Sequence, residues 1–357
     1  MKILVGMSGG IDSSVAAWLL KQQGYEVIGA TMSIWKEGTP YNGPAGNSCY
    51  QPETQEELAE IQEICRKIGI PHVVVDCQDM YEDIVLKNFR AEYLAGRTPN
   101  PCVWCNSKIK FGALIDFARK SGIEFDKFAT GHYARVDFDK KTGRYRLRRA
   151  VDLHKDQTYF LHRLTQEQLS SVIFPLGDML KKDVRKIDEE QGFHAVGQEE
   201  SQDFYCGDYT DLLGVVPGKG NIIDRQGTVM GTHTGVWNYT IGQRKGLGIA
   251  SDRPLYVVEL RPGSNEVVVG HEEDTLHTRV VIEDLSWSAV AALDTPRECV
   301  ARIRSASNPQ MAMVSPGEDN TLVISFTGAV KAATPGQSLV VYDGDTVLCG
   351  GIISSAR

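Results

Sequence analysis

No apolar run in this 357-residue chain approaches the ~18 residues that a membrane-crossing helix needs, so no membrane-spanning helix is expected. The first residues do not read as a secretory leader, because Ser8-Gly9-Gly10 interrupts the apolar stretch too early. A cytoplasmic protein is the resulting expectation, and no tandem repeat or low-complexity tract stands out. Cysteines number only eight, at 49, 65, 77, 102, 105, 206, 299 and 349, and in a cytoplasmic chain they are not a disulfide framework. Cys65, Cys77, Cys299 and Cys349 lie in helical or strand-like patterns and are expected as small buried apolar residues; Cys49 lies in a polar loop and is assigned no role. Positive charge is not in excess either. The net charge of −8 argues weakly against a nucleic-acid partner. Local patterning argues the other way: six basic residues fall between Lys140 and Arg149, and Lys181, Lys182, Arg185 and Lys186 form a second group. Phosphate contacts depend on local potential rather than on the total.

The 42% apolar and 24% charged composition is that of a globular protein, and the length implies two or three domains. The first third alternates strands, at 3–5, 27–32, 73–75 and 125–130, with helices at 13–23, 54–68, 80–94 and 109–120. This βα alternation predicts a parallel sheet covered on both faces, with ligands at the carboxyl ends of its strands. A hairpin turning at Thr142-Gly143 is expected over 133–149, with helices over 166–172 and 181–191. Past Asp208 glycine and proline become frequent. From Val280 onward short strands at 280–285, 299–303, 322–326, 339–342 and 347–353, with a turn at Asp343-Gly344, predict a β-barrel. The expected fold is α/β: a parallel-sheet nucleotide-binding domain (1–207), a small connecting domain (208–275) and a C-terminal β-barrel (276–357).

Two segments carry chemistry. The apolar strand Lys2-Ile3-Leu4-Val5-Gly6 runs through Met7 into Ser8-Gly9-Gly10-Ile11-Asp12-Ser13-Ser14, where an amphipathic helix begins. Glycines and helix N-terminal N–H groups make a phosphate cradle. The G-x-x-x-x-G-K-[ST] pattern is missing, so this is not a Walker loop; Ser-Gly-Gly-x-Asp-Ser resembles the pyrophosphate loop of the PP-loop ATPases. The second segment, Arg97-Thr98-Pro99-Asn100-Pro101-Cys102-Val103-Trp104-Cys105-Asn106, reads as an extended loop held by two prolines, with its C-x-x-C just before a helix whose N-terminus would favour thiolate. A further thiol, Cys206, closes the polar segment 201–207. Structural zinc is a poor reading, since no second C-x-x-C exists and His132 and His233 are not at zinc spacing.

These segments, together with Ala129-Thr130-Gly131-His132-Tyr133-Ala134-Arg135, Lys155-Asp156-Gln157-Thr158-Tyr159-Phe160-Leu161, Ser201-Gln202-Asp203-Phe204-Tyr205-Cys206, Thr240-Ile241-Gly242-Gln243-Arg244-Lys245-Gly246-Leu247-Gly248, Pro335-Gly336-Gln337-Ser338 and Gly350-Gly351-Ile352-Ile353, resemble the tRNA-specific 2-thiouridylase family over nearly the whole chain. The resemblance implies an ATP-dependent reaction. The C2 carbonyl oxygen of the wobble uridine of tRNA is adenylated, and sulfur from a cysteine persulfide replaces it, giving 2-thiouridine, AMP and pyrophosphate. It implies nucleotide contacts from Gly6, Met7, Ser8, Gly9, Gly10, Ile11, Asp12, Ser13, Met32 and Gly131; the Asp12 carboxylate could position magnesium against the phosphates, or cap its helix. It implies Cys206 as persulfide carrier and Cys105 as the nucleophile that pairs with it in a transient disulfide. Asn100, Pro101, Cys102, His132, Lys155, Asp156, Gln157 and Gln337 are implied to meet tRNA.

The chain departs from the family pattern in two places. Some members carry aspartate where Cys102 stands, and a tyrosine and an arginine where Ser305 and Ala306 stand, so contact from that loop would be weaker or different. The thiol at 102 opens a second reading, a [4Fe–4S] cluster on Cys102, Cys105 and Cys206. A tRNA substrate, a sulfur-relay donor protein and a monomeric state are the expected partners and assembly. The alternatives are another PP-loop adenylating ligase, which would not need Cys105 or Cys206, and a non-catalytic RNA-binding protein.

Overall fold

The computed structural model describes residues 1–39, 41–43, 48–195 and 204–357. Ser201, Gln202 and Asp203 of the motif ending at Cys206 lie outside the described residues.

The N-terminal sheet is parallel. It contains β1 (Lys2–Gly6), β2 (Glu26–Ser33), β3 (His72–Asp76) and β4 (Lys127–Ala129). The hairpin β5 (Ala134–Asp139) and β6 (Arg144–Arg149) leaves this sheet, and β7 (Val172–Ile173) returns to it. The order is β3-β2-β1-β4-β7. Ile3, Leu4 and Val5 are fully buried, as a central parallel strand requires. Helix α1 (Ile11–Gln22) follows β1 directly, and α2 (Gln55–Ile68) starts at a capping box of Thr54 and Glu57 and stops at Gly69 with φ 77.

Two expectations are corrected here. The C-x-x-C segment is not an extended loop before a helix at 109. The chain is helical continuously from Pro101 to Lys120, with wider π turns over Cys105–Ala113. Pro101 stands at the first helical position behind Asn100, whose side chain accepts from Val103 N–H. Proline is tolerated there because that N–H has no intrahelical partner in any case, so this proline marks a helix start. The helix expected over 166–172 ends at Ser171, and Val172 opens β7.

The middle sheet orders β8 (Gly220–Ile223), β9 (Val229–His233), β10 (Tyr256–Arg261) and β11 (Glu266–Gly270) as β10-β11-β8-β9. Six further strands, β12 (Leu276–Trp287), β13 (Arg297–Arg302), β14 (Gln310–Pro316), β15 (Leu322–Lys331), β16 (Ser338–Asp343) and β17 (Thr346–Ala356), form an antiparallel ring closed by β12 against β17. Val280, Ile282, Ile324, Leu339 and Ile353 fill it. The expected barrel is present.

Several arginines of the basic run in the hairpin β5–β6 are paired within the protein. The hairpin adds to the barrel through Arg148 opposite Thr346. Arg146 grips Asp137 at 2.7 and 2.9 Å. Arg148 reaches Asp137 at 2.9 Å and also Asp345. Arg135 meets Asp345 at 2.9 Å, and Arg144 donates to the carbonyls of Ser288 and Trp287. The Arg146 guanidinium, followed by Arg148, holds the Asp137 carboxyl below its usual range. Arg135, Arg144 and Arg148 bind the hairpin to the barrel.

Candidate functional site

The loop between β1 and α1 is shaped by its own serines. Ser13 Oγ donates to the Gly10 carbonyl at 2.9 Å and accepts from Ser8 N–H at 3.2 Å, while Ser14 Oγ bonds the same carbonyl at 3.1 Å. Gly9 has φ +77, and a Cβ there would stand 3.0 Å from Ile61. Gly10 caps α1 with no side-chain bond, so the first N–H groups of the helix are left for a ligand. Gly131, at the end of β4, lies against this turn: a Cβ would fall 2.5 Å from the Asp12 carbonyl carbon. Met32, near the end of β2, pairs with Val75 and packs on the core.

Asp12 does not cap its helix. Its Oδ1 accepts from Lys181 Nζ at 2.6 Å and from the Tyr133 hydroxyl at 3.0 Å. The sequence reading left Lys181 in a surface cluster; Lys182, Arg185 and Lys186 are exposed, but Lys181 is buried. Its own N–H is held by Asp152 Oδ2 at 2.9 Å. The loop therefore carries an internal cation beside its carboxylate. The missed signal is helical phase, since Lys181 shares a face with buried Val184 and Asp188.

Magnesium commonly binds through one or two carboxylates plus substrate phosphates, and Asp12 fits that mode. Among the described residues no group of three His, Cys, Asp or Glu side chains is gathered to hold a metal. Cys102, Cys105 and Cys206 all lie in described segments and are not gathered as such a group, each standing as a free, half-buried thiol.

The thiol helix is seated on the barrel. Thr98 N–H donates to the Pro335 carbonyl at 2.9 Å, and Gln337 Nε2 donates to the Pro99 carbonyl at 3.2 Å. Gly336, at φ +90, lets the two loops close, for a Cβ would come within 2.9 Å of Thr98 N and O. Asn100 is buried, Pro101 and Cys102 are half-buried, and the Tyr159 hydroxyl reaches Gln337 and the Ser338 carbonyl. Burial pushes the Cys105 thiol up to about 11, with Lys110 acting in the opposite direction. The expected helix-terminus activation is thus outweighed by desolvation.

All eight cysteines are free thiols. The segment bearing Cys206 is held by aromatic rings that the sequence reading did not single out. Tyr50 N–H donates to the Phe204 carbonyl at 2.9 Å. The Tyr50 ring stacks on Tyr81 at 5.2 Å and on Phe204 at 6.0 Å, while Tyr41 meets Tyr205 edge-on at 5.5 Å. Tyr81, whose hydroxyl burial holds well above its usual range, also feels Cys105, Cys102 and Cys49 electrostatically. One stack therefore runs from the surroundings of Cys105 to within two residues of Cys206.

Other sequence-predicted residues are less open than expected. His132 is buried against Phe111 and Phe174, with Nδ1 at 2.7 Å from Thr130 Oγ1; desolvation first, and Lys110 second, hold it well below an ordinary histidine. The Asp156 carboxylate is fully enclosed by Arg149, Thr158, Ala150 N–H and Arg302. Gln157 Oε1 accepts from Tyr133 N–H, and Lys155 is half-buried. Ser305 and exposed Ala306 form a turn whose carbonyl at 305 accepts from Arg302.

Three family descriptions match in order: "tRNA methyl transferase HUP domain" over residues 1–206, "tRNA methyl transferase PRC-barrel domain" over 213–271 and "Aminomethyltransferase beta-barrel domain" over 277–353. A tRNA-specific 2-thiouridylase MnmA of Endomicrobium trichonymphae is 48% identical over 356 residues, covering 99% of each chain. One from Caldanaerobacter subterraneus subsp. tengcongensis, "MnmA 1", is 42% identical over 363 residues, covering 99% of this chain and 97% of that one. A third, "MnmA 2" of Clostridium tetani, is 42% identical over 359 residues, covering 99% and 98%. No helix among the described residues is long and apolar enough to cross a membrane. With its parallel-sheet domain, connecting sheet and barrel matched end to end, the chain belongs to the tRNA-specific 2-thiouridylase family.

Proposed function

We propose that this protein converts the wobble uridine of tRNA to 2-thiouridine, using ATP to activate the C2 oxygen and a persulfide on Cys206 to supply sulfur. Residues 1–207 form the catalytic body in this reading, 208–275 a connector and 276–357 a barrel that seats the thiol helix. The loop of Gly6 to Ser13, with Met32 and Gly131, holds ATP. Lys181 offsets the charge of Asp12 beside the phosphates. Magnesium, when bound with the triphosphate, would be held by Asp12 and would neutralise phosphate charge.

The uracil C2 oxygen attacks the α-phosphorus, forming a C2–O–P link and releasing pyrophosphate. The terminal sulfur of the Cys206 persulfide then attacks C2, and the C2–O bond breaks as AMP leaves. Cys105 thiolate attacks Cys206 Sγ. The Sγ–S bond breaks, the sulfur stays on the uracil, and a Cys105–Cys206 disulfide forms that a two-electron thiol reductant reopens. A separate sulfur-relay protein recharges Cys206. Asn100 and Pro101, at the head of the thiol helix, meet the flipped base in this reading, with Gln337 beside them through Pro99, and Lys155 and Gln157 contact the tRNA. Enclosed Asp156 and His132 shape this surface from within. Ser305 and Ala306 offer the RNA only a short turn.

The observation that carries the proposal is the Tyr81–Tyr50–Phe204 stack, which joins the surroundings of one thiol to the segment of the other. The test is mass analysis of nucleosides from tRNA incubated with protein, ATP and a persulfide donor. Wild type yields 2-thiouridine and AMP, while Cys105→Ser and Cys206→Ser yield none of the thionucleoside. 2-Thiouridine from either serine variant would contradict the two-thiol route, and its absence from the wild type would favour an adenylating ligase of another kind.

A further inference from the structure

The helix Lys181–Gln191 ends at Gly192 in the left-handed conformation, φ 61. The chain then turns back toward the nucleotide loop, and Lys67 of α2 fixes this turn by donating to the Gly192 carbonyl at 2.7 Å. Two residues on, His194 is wedged between two acceptors. Its Nδ1 lies 2.7 Å from Asp188 Oδ1, and its Nε2 lies 2.8 Å from the carbonyl oxygen of Gly9. The side chains of His194 and Asp188 are each only 4% exposed, so the contact is sheltered from competing water. A backbone carbonyl can only accept, so Nε2 must donate to it.

A trans peptide is planar, and its C=O and N–H point in opposite directions. Holding the Gly9 carbonyl on one side therefore aims the Gly10 N–H to the other side, into the cradle at the start of α1. Gly9 has no side chain to fix this plane, and its φ of +77 lies in a region that only glycine adopts without cost. Ile61 of α2 occupies the space a Cβ at Gly9 would need, 3.0 Å from that position. We propose that His194, braced by Asp188, is a positioning residue of the nucleotide loop: it grips the Gly9 carbonyl and so aims the Gly10 N–H at the pyrophosphate portion of ATP. The inference rests on the ATP reading given above. It adds a part that the Ser-Gly-Gly-x-Asp-Ser pattern does not contain.

The experiment measures ATP affinity by calorimetry on the full chain, with the KM values for ATP and tRNA in AMP formation and the melting temperature alongside. His194→Ala is expected to weaken ATP binding about 10-fold, about 1.4 kcal/mol, and to raise the KM for ATP by a similar factor. The KM for tRNA should stay within twofold of wild type. His194→Gln, whose amide can still donate to Gly9, should recover most of the affinity. ATP affinity within twofold of wild type in His194→Ala would overturn the proposal. So would a Gln variant as weak as Ala with an equally lowered melting temperature, since that marks a packing role alone. A wild-type protein that binds no ATP would overturn the nucleotide reading and this proposal with it, whereas tight wild-type binding beside an unaffected variant overturns this proposal only.

Discussion

The nucleotide loop and the thiol helix are both helix starts, yet they are poised differently. At α1 the cap is a glycine without a side-chain bond, Ser8 is exposed, and serine hydroxyls and a buried lysine shape the turn from within. At Pro101 the cap is a buried asparagine bonded to Val103 N–H, and the thiol four residues on is desolvated to about 11. A thiol with that value is ionised to about one part in 10⁴ at neutral pH. The first end leaves backbone donors at its helix start, whereas the thiol of the second is half-buried and held protonated by desolvation. Lys110 acts against the burial of Cys105 and favours its thiolate.

The largest expected effect breaks the nucleotide end alone. Gly131→Ala would drive a methyl into the backbone of Asp12 and Ser13. AMP formation should fall at least ~100-fold, about 2.7 kcal/mol, while the thiol helix keeps its barrel contacts. AMP formation near wild type would show that Gly131 does not set the loop.

A smaller effect sharpens the other side. His162 follows the Thr158–Leu161 turn, whose Phe160 carbonyl accepts from Asn106 of the thiol helix. Its two ring nitrogens meet Ser286 and Ser338 of the barrel at 2.9 and 3.2 Å, and burial lowers it to about 3. A histidine neutral in the fold and free to protonate when unfolded contributes stability that is complete above its unfolded value of about 6.5. That contribution is lost as pH falls from there toward about 3. In denaturant unfolding across this range, His162→Gln should flatten the dependence by about one proton, ~1.4 kcal/mol per pH unit. An unchanged slope would mean that His162 titrates alike in both states. His72, His132, His233 and His277, also lowered by burial, retain their own contributions.

The sequence made the nucleotide end legible because its chemistry is local. A strand, two glycines and a helix start within a few residues of one another, and the resemblance added Gly131. The thiol end was harder to read. Pro101 has two meanings, extension or helix start, and the Asn100 cap decides between them. Charge misled more than pattern did: Arg144, Arg146 and Arg148 read as a basic face, but their acceptors are Asp137, Asp345 and barrel carbonyls, two of these sources well over a hundred residues away. Lys181 and His194 carry no motif. Each matters because the helix Lys181–Gln191 lies beside α1, a relation that appears only in three dimensions. The joint of Tyr50, Tyr81 and Phe204 likewise draws on three distant segments.

The central claim is that two thiols unite once for each oxygen replaced. It is tested most directly by loading the protein with persulfide, allowing one turnover with ATP and tRNA in the absence of reductant, and mapping disulfides by peptide mass analysis. The account predicts a Cys105–Cys206 link formed in equal amount to 2-thiouridine. Full thionucleoside yield with both cysteines recovered as free thiols would contradict it.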